Sequence, residues 1–270
     1  MEQNRARIGA QGLGLAAISC DSIAILKAFA DRQQIGFELL SDPESKVIRQ
    51  YGILNDTVQK DSPQFGIPYP GTYVLDTSGV VIAKYFEDDF RVRDTAGSIL
   101  LRQFGLEPAP RETIQAKHLQ ISASGGDIPL RPNQRVSLAV NLRLPDRVHV
   151  YAPGVTGYIP LSLAMRSSQA FQSDPVSYPA AKTMTLAVIH ETVPVYEGSV
   201  RVVETITLGG AQQIEPLLDS DRNLAIDGDL RYQACDDKEC FVPETVHLKW
   251  TVHVLPFDRT RAPEPLRRKQ

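Results

Sequence analysis

Two of the three cysteines in this chain, Cys235 and Cys240, lie in the stretch Tyr232-Gln233-Ala234-Cys235-Asp236-Asp237-Lys238-Glu239-Cys240-Phe241-Val242-Pro243, with four residues between them. A thiol pair held across a tight turn can cycle between dithiol and disulfide. Along one continuous strand, residues five apart point to opposite faces. With Asp236–Glu239 as a hairpin loop they become directly opposed, with Cβ atoms about 4.5–5.5 Å apart, close to what a disulfide tolerates. Closing a loop of about six residues is worth only ~2 kcal/mol in the chain-entropy picture, against ~4.7 kcal/mol for a hundred residues. Such a bond is a weak staple and a good exchangeable one. Asp236, Asp237 and Glu239 outweigh Lys238 in the loop, so neither thiol is expected to have a strongly lowered pKa. That suits a disulfide attacked by an incoming thiolate better than a peroxide-reducing nucleophile. A structural disulfide and idle thiols are the alternatives.

Other chemistry-bearing residues are weaker. Cys20 follows a short apolar run and precedes a helix start, a place where α/β proteins favour thiolates and ligands. Its other reading is a small buried hydrophobe, and Asp21 beside it opposes ionisation. Cys235, Cys240 and His247 offer three soft ligands, one short of a structural zinc site and with unusual spacing. His118, His149, His190 and His253 read as strand-surface or satisfied core histidines. No Ser-His-Asp order, paired carboxylates or phosphate-binding glycine loop stands out, so no metal or cofactor is expected.

The elements that must position these residues change character along the chain. In the first hundred residues, a helix tail closes at Gln11-Gly12, and Leu13–Ser19 reads as a strand buried on both faces. Asp21 or Ser22 caps a helix with Ile25, Leu26, Phe29 and Ala30 inward. A second strand spans Phe37–Leu40. Asp42-Pro43-Glu44 opens a helix that turns Val47, Ile48 and Tyr51 inward and stops at Gly52. Tyr73–Leu75 and Val80–Tyr85 flank a turn at Asp76-Thr77-Ser78-Gly79. A last helix over Thr95–Phe104 ends at Gly105, with Pro108 and Pro110 in a linker. The order is that of an α/β domain.

Gly14-Leu15-Ala16-Ala17-Ile18-Ser19, Leu39-Leu40-Ser41-Asp42-Pro43, Tyr51-Gly52-Ile53 and Gly66-Ile67-Pro68-Tyr69-Pro70-Gly71-Thr72-Tyr73-Val74-Leu75-Asp76 resemble consecutive blocks of peroxiredoxin-like redoxins of the AhpC/TSA type. The resemblance covers about residues 12–104 and implies a thioredoxin fold, with Pro70 as a cis-proline beside the reactive thiol. Such a redoxin has a central strand and a cysteine-bearing helix before Leu13. Here no cysteine precedes Cys20, so the family's nucleophile has no counterpart. The domain is expected to be incomplete, through an N-terminal truncation that leaves open strand edges. The other outcomes are a sheet that closes up or a segment that fills the slot.

From about Arg111 the pattern becomes period two. Strands are expected at His118–Ser122, Val136–Leu142, His149–Tyr151, Thr183–Ile189, Val200–Leu208, Leu230–Ala234 and His247–Leu255, separated by Gly, Pro, Asn and Asp. In the last, Leu248, Trp250, Val252 and Val254 alternate with His247, Lys249, Thr251 and His253. Seven short strands argue for an immunoglobulin-like β-sandwich. Tyr-Gln-x-Cys at 232–235 and Cys-x-x-Pro-Glu-Thr at 240–245, with the weaker Val148-His149-Val150-Tyr151, resemble the N-terminal domain of the thiol:disulfide interchange protein DsbD. That resemblance implies a sandwich whose Cys235–Cys240 pair passes electrons to and from a thioredoxin-like protein or domain, with Tyr232 in support. Four residues separate these cysteines where the best-known members have five, and no aromatic cap loop shielding the pair is recognisable.

The expected organisation is a thioredoxin-like domain over 1–107, a linker over 108–116, a DsbD-N-like sandwich over 117–258 and a disordered tail over 259–270. Composition sets outer limits on partners. In 270 residues the chain has a formal net charge of −3 and a pI near 6.0, which point to neither nucleic acid nor an anionic membrane. No apolar run approaches a membrane span, and the polar N-terminus lacks a signal-peptide core. As written the chain reads as cytoplasmic, and as periplasmic if a longer N-terminus carried a signal. The expected function is thiol–disulfide exchange through Cys235 and Cys240. A peroxidase role is expected only in a longer form, and a non-catalytic interaction module with a structural disulfide is the rival.

Overall fold

The computed structural model describes residues 1–62, 64–107, 112–125, 129–186, 191–258 and 260–266. Its contacts divide the chain into two units, Met1–Ala96 with the residues from Phe257 onward, and Gly97–Pro256.

The first unit is α/β. After α1 (Arg5–Ala10), the strand β1 (Ala16–Ser19) pairs in parallel with β2 (Glu38–Ser41), and α2 (Ile23–Gln33) crosses between them. A parallel pair needs such a crossover. Ser22 caps α2, its Oγ accepting from the Ile25 amide at 3.4 Å. α3 (Lys46–Gln50) is capped by Asp42, whose two carboxylate oxygens accept the amides of Lys46 and Ile48, each at 2.9 Å. The hairpin β3 (Gly71–Leu75) and β4 (Val81–Phe86) turns at Asp76-Thr77-Ser78-Gly79. Asp76 Oδ1 accepts from the amides of Ser78 and Val80, and Gly79 takes the positive φ of 80° that the turn requires.

Burial in this unit is thinner than the sequence pattern suggests. β1 is not buried on both faces, because Ala16 and Ala17 are exposed. Leu26 and Ile48 point inward as expected, but Phe29, Val47 and Tyr51 are exposed. The physical reason is the sheet. Among the described residues β1–β2 and β3–β4 are two separate two-stranded sheets, and two strands offer the helices little surface to pack on. The unit continues through the two-residue β5 (Arg93–Asp94).

The second unit is built almost wholly from strands. α4 (Ala96–Phe104) ends at Gly105 with φ 66°. Ser98 Oγ on α4 accepts the Ser137 amide at 2.7 Å. The strands follow: β6 (Glu112–Gln115), β7 (Gln120–Gly125), β8 (Gln134–Arg143), β9 (His149–Tyr151), β10 (Ser162–Met165), β11 (Phe171–Ser173), β12 (Lys182–Leu186), β13 (Glu191–Glu197) and β14 (Ser199–Leu208). After the short α5 (Ala211–Ile214) come β15 (Asn223–Tyr232), β16 (Ala234–Cys235) and β17 (Glu244–His253). One sheet runs β11-β14-β8-β7-β6, a second β12-β13-β9-β16, and a third β10-β15-β17.

Alternation explains the layering. Leu138, Val140 and Leu142 on β8, Leu224, Ile226 and Leu230 on β15, and Leu248, Trp250 and Val252 on β17 are all at most 2% exposed and share one core. Trp250 donates its indole N–H to the Ser124 carbonyl at 3.2 Å, tying β17 to β7. Residues 112–115, read from the sequence as linker, form β6 antiparallel to β7. The expected strand Thr183–Ile189 begins within β12, and its last three residues lie outside the described ones, as do His190, Pro108 and Pro110. Among the described residues, no helix is long and apolar enough to cross a membrane.

Candidate redox site

Cys235 and Cys240 form a disulfide, with Cα atoms 4.0 Å apart. They face each other as an antiparallel bridge, the opposition expected if 236–239 is a loop. Asp236 makes that loop. Its amide donates to the Glu239 carbonyl at 2.9 Å, and its carboxylate accepts from the amides of Lys238 at 2.8 Å and Glu239 at 2.9 Å. Those bonds hold the Asp236 pKa below the usual carboxylate range, with Lys238 and His149 adding smaller effects. Below the disulfide, the Phe241 amide donates to the Ala234 carbonyl at 2.8 Å, and Gln233 Nε2 donates to the Phe241 carbonyl at 3.0 Å.

The two sulfur-bearing residues differ sharply in access. Cys235 is 1% exposed, whereas Cys240 is exposed. β16 lies beside β9, with Cys235 opposite His149 and Ala234 opposite Val150. Because paired residues in a sheet share a face, His149 and Tyr151 stand on the side that carries Cys235. The Tyr151 hydroxyl donates toward Sγ of Cys240 at 3.5 Å. Tyr158 stacks on Tyr151 at 4.3 Å and donates its own hydroxyl to Glu191 at 2.8 Å, which pushes its pKa up to about 12. Tyr151, Val193, Val195 and Cys235 form a small apolar cluster of their own. On the other side of the loop, Phe241 stacks on His118 at 3.8 Å. That pair walls an open cleft that also presents Lys117, Arg143 and Asp146.

The remaining sequence candidates are placed as follows. Tyr232 is 1% exposed and donates to Glu244 at 2.6 Å across the β15–β17 pair. Burial, then the Glu244 carboxylate, pushes its pKa up. It pins the base of the hairpin. His247 is taken up by Asp227 and Asp229, each 3.1 Å from a ring nitrogen, so it forms no ligand set with the two cysteines. Pro70 precedes β3 and Cys20 is buried at the end of β1, both in the first unit.

Tyr151, Tyr158, Glu191 and the His118–Phe241 pair were not singled out as site residues. The alternation in Val148-His149-Val150-Tyr151 was the available signal, since it puts His149 and Tyr151 on one face. His149 fits neither sequence reading. It is 4% exposed and its Nε2 has no hydrogen-bond partner.

Residues 1–84 match the AhpC/TSA family, and residues 123–251 match the family described as thiol:disulfide interchange protein DsbD, N-terminal. A segment matching the AhpC/TSA family is thus followed in this chain by one matching the DsbD N-terminal family. Both cysteines of the disulfide fall inside the DsbD match. The chain is 40% identical over 75 residues to a chloroplastic peroxiredoxin Q of Sedum lineare, and 41% identical over 76 residues to that of Triticum aestivum. Those stretches are 27% and 28% of this chain, and they span 37% and 30% of the relatives. Among solved structures, the N-terminal periplasmic domain of ScsB from Proteus mirabilis aligns with a TM-score of 0.35 and 13% identity, over 53% of this chain and 51% of that one. That likeness is too slight to assign a fold.

Proposed function

We propose that the chain is a thiol–disulfide exchange protein in which Cys235 and Cys240 trade electrons with a thioredoxin-like dithiol partner. The observation that carries this reading is the asymmetry of the bond, with Cys240 open to attack and Cys235 buried as the leaving sulfur. The partner's thiolate attacks Sγ of Cys240, the Sγ–Sγ bond breaks, and the electron pair stays on Cys235. The partner's second thiol then resolves the mixed disulfide, leaving the partner oxidised and the Cys235–Cys240 pair reduced. Tyr232 supports the hairpin from below, and Tyr151 partly covers the attacked sulfur.

The family matches support reading the first unit as thioredoxin-like and the second as an immunoglobulin-like sandwich. The DsbD match also supports a periplasmic-type setting, where a disulfide persists. In this reading Pro70 and Cys20 are auxiliary, and peroxide reduction belongs to a form of the protein that supplies an upstream thiol.

The reduction potential tests this. Equilibration with a thioredoxin-like dithiol is expected to reduce the bond measurably. A partner variant keeping only its attacking cysteine is expected to be trapped on Cys240. A potential below about −300 mV, out of reach of a dithiol near −270 mV, together with no trapped species, would make the bond structural and overturn the reading.

A further inference from the structure

The geometry points to His149 as the residue that manages the proton of the leaving sulfur, taking up a proton and sharing it with Sγ of Cys235 when the disulfide is reduced. This rests on the exchange reading of Cys235–Cys240.

The exchange of thiol and disulfide is unsymmetrical in its surroundings. Negative charge on Cys240 meets solvent, because that residue is exposed. Negative charge on Cys235 arises at a residue 1% exposed, in a cluster with Tyr151, Val193 and Val195. A buried unpaired thiolate is costly, so it needs a neighbouring donor. The register supplies one. His149 is the cross-strand partner of Cys235, its ring meets Tyr151 edge-on at 5.6 Å, and Tyr151 in turn touches Sγ of Cys240. The imidazole is 4% exposed, and its Nε2 is among the few buried side-chain polar atoms without a partner. A buried orphan nitrogen opposite a disulfide lacks an acceptor in this oxidised state. Reduction creates one.

The charged groups around His149 set its resting state. On the other flank, β13 places Glu197 directly opposite it, and Glu197 pairs with Lys182 at 3.3 Å. Asp236 and Asp237 approach from the loop, where Lys238 also acts on Asp236. Burial lowers the His149 pKa, while Glu197, Asp237 and Asp236 act against that shift. The ring is therefore neutral near pH 7 beside the uncharged disulfide.

The step balances as follows. The partner's first thiol loses its proton to water and its sulfur bonds to Sγ of Cys240. The Sγ–Sγ bond breaks and its electron pair goes to Cys235. His149 takes one proton from water and holds it between its ring and that sulfur. The partner's second thiol then loses its proton to water, its sulfur bonds to the partner's first sulfur, and Cys240 leaves and is protonated from solvent. Two electrons and two protons have moved from the partner dithiol to this pair.

Nuclear magnetic resonance titration of the labelled imidazole in the full chain, oxidised and then reduced with a phosphine, tests this directly. The His149 pKa is expected to rise by at least one unit on reduction. An unchanged His149 pKa between the two states overturns the proposal, and this readout needs no partner and no variant. As a second readout, His149→Gln is expected to slow attack by a dithiol about tenfold and to flatten the pH profile between pH 6 and 8. A variant with wild-type rate and profile overturns it equally. Failure of the wild type to exchange at all would instead strike the function proposed above, and the titration would still decide the role of His149.

Discussion

Glu204 shows how one residue can set a pH dependence unrelated to the redox site. It lies in the middle of β14, opposite Leu138 on β8, 1% exposed and with neither carboxylate oxygen hydrogen-bonded. Burial pushes its pKa up to about 7; Asp174 adds to the rise, and the Ser173 hydroxyl, outside hydrogen-bonding geometry, opposes it. An unfolded chain restores the value to ~4.3. A raised folded pKa means stability that is present in full below the unfolded value and is lost as pH rises through about 7. Urea denaturation at pH 5 and pH 8 is expected to show the wild type losing on the order of 2 kcal/mol across that window. Glu204→Gln, which cannot ionise, should not show that loss. Equal losses in both proteins would remove the assignment.

At the scale of elements, the hairpin from β16 to β17 turns an unfavourable thiol encounter into a local one, and Asp236 is its fastener. Asp236→Ala removes the acceptor for the Lys238 and Glu239 amides, at about 1 kcal/mol. The expected result is a roughly fivefold drop in the equilibrium constant for disulfide closure, read in a glutathione buffer. An unchanged constant would show that the strands alone hold the thiols together. This hairpin was legible in the sequence because its flanks alternate strictly, Leu248, Trp250 and Val252 on one side and a turn of acids on the other. β9 was legible for the same reason. β13 was not, because Pro194 interrupts Glu191–Glu197 and proline is expected only at strand edges or bulges. Its carbonyl still accepts the Ala152 amide at 2.9 Å. The cover over Tyr151 escaped for a different reason. Tyr158 sits in a loop, and no periodicity reports which ring a loop residue will stack on.

For the whole molecule, composition and pattern separated an α/β half from a β half, but not where one unit's contacts give way to the other's. α4 reads as a closing helix of the first half, yet Gly97 onward groups with the strands, and Ser98 is bonded to the β8 backbone. Ile99, Leu100 and Leu101 on it are buried. A fragment of residues 97–256 is therefore expected to resist urea better than one of residues 112–256, which keeps β6 but lacks α4, by roughly 2 kcal/mol or more. Equal midpoints would show that α4 adds nothing to the sandwich. The short span of the Cys235–Cys240 bond has a consequence for error. Opening it frees two thiols within a single hairpin, while the ten-residue β15–β17 register remains. The third cysteine, Cys20, is buried. Were the bond to open, its two thiols would stay opposite each other within the hairpin, and buried Cys20 would offer them no exposed competitor.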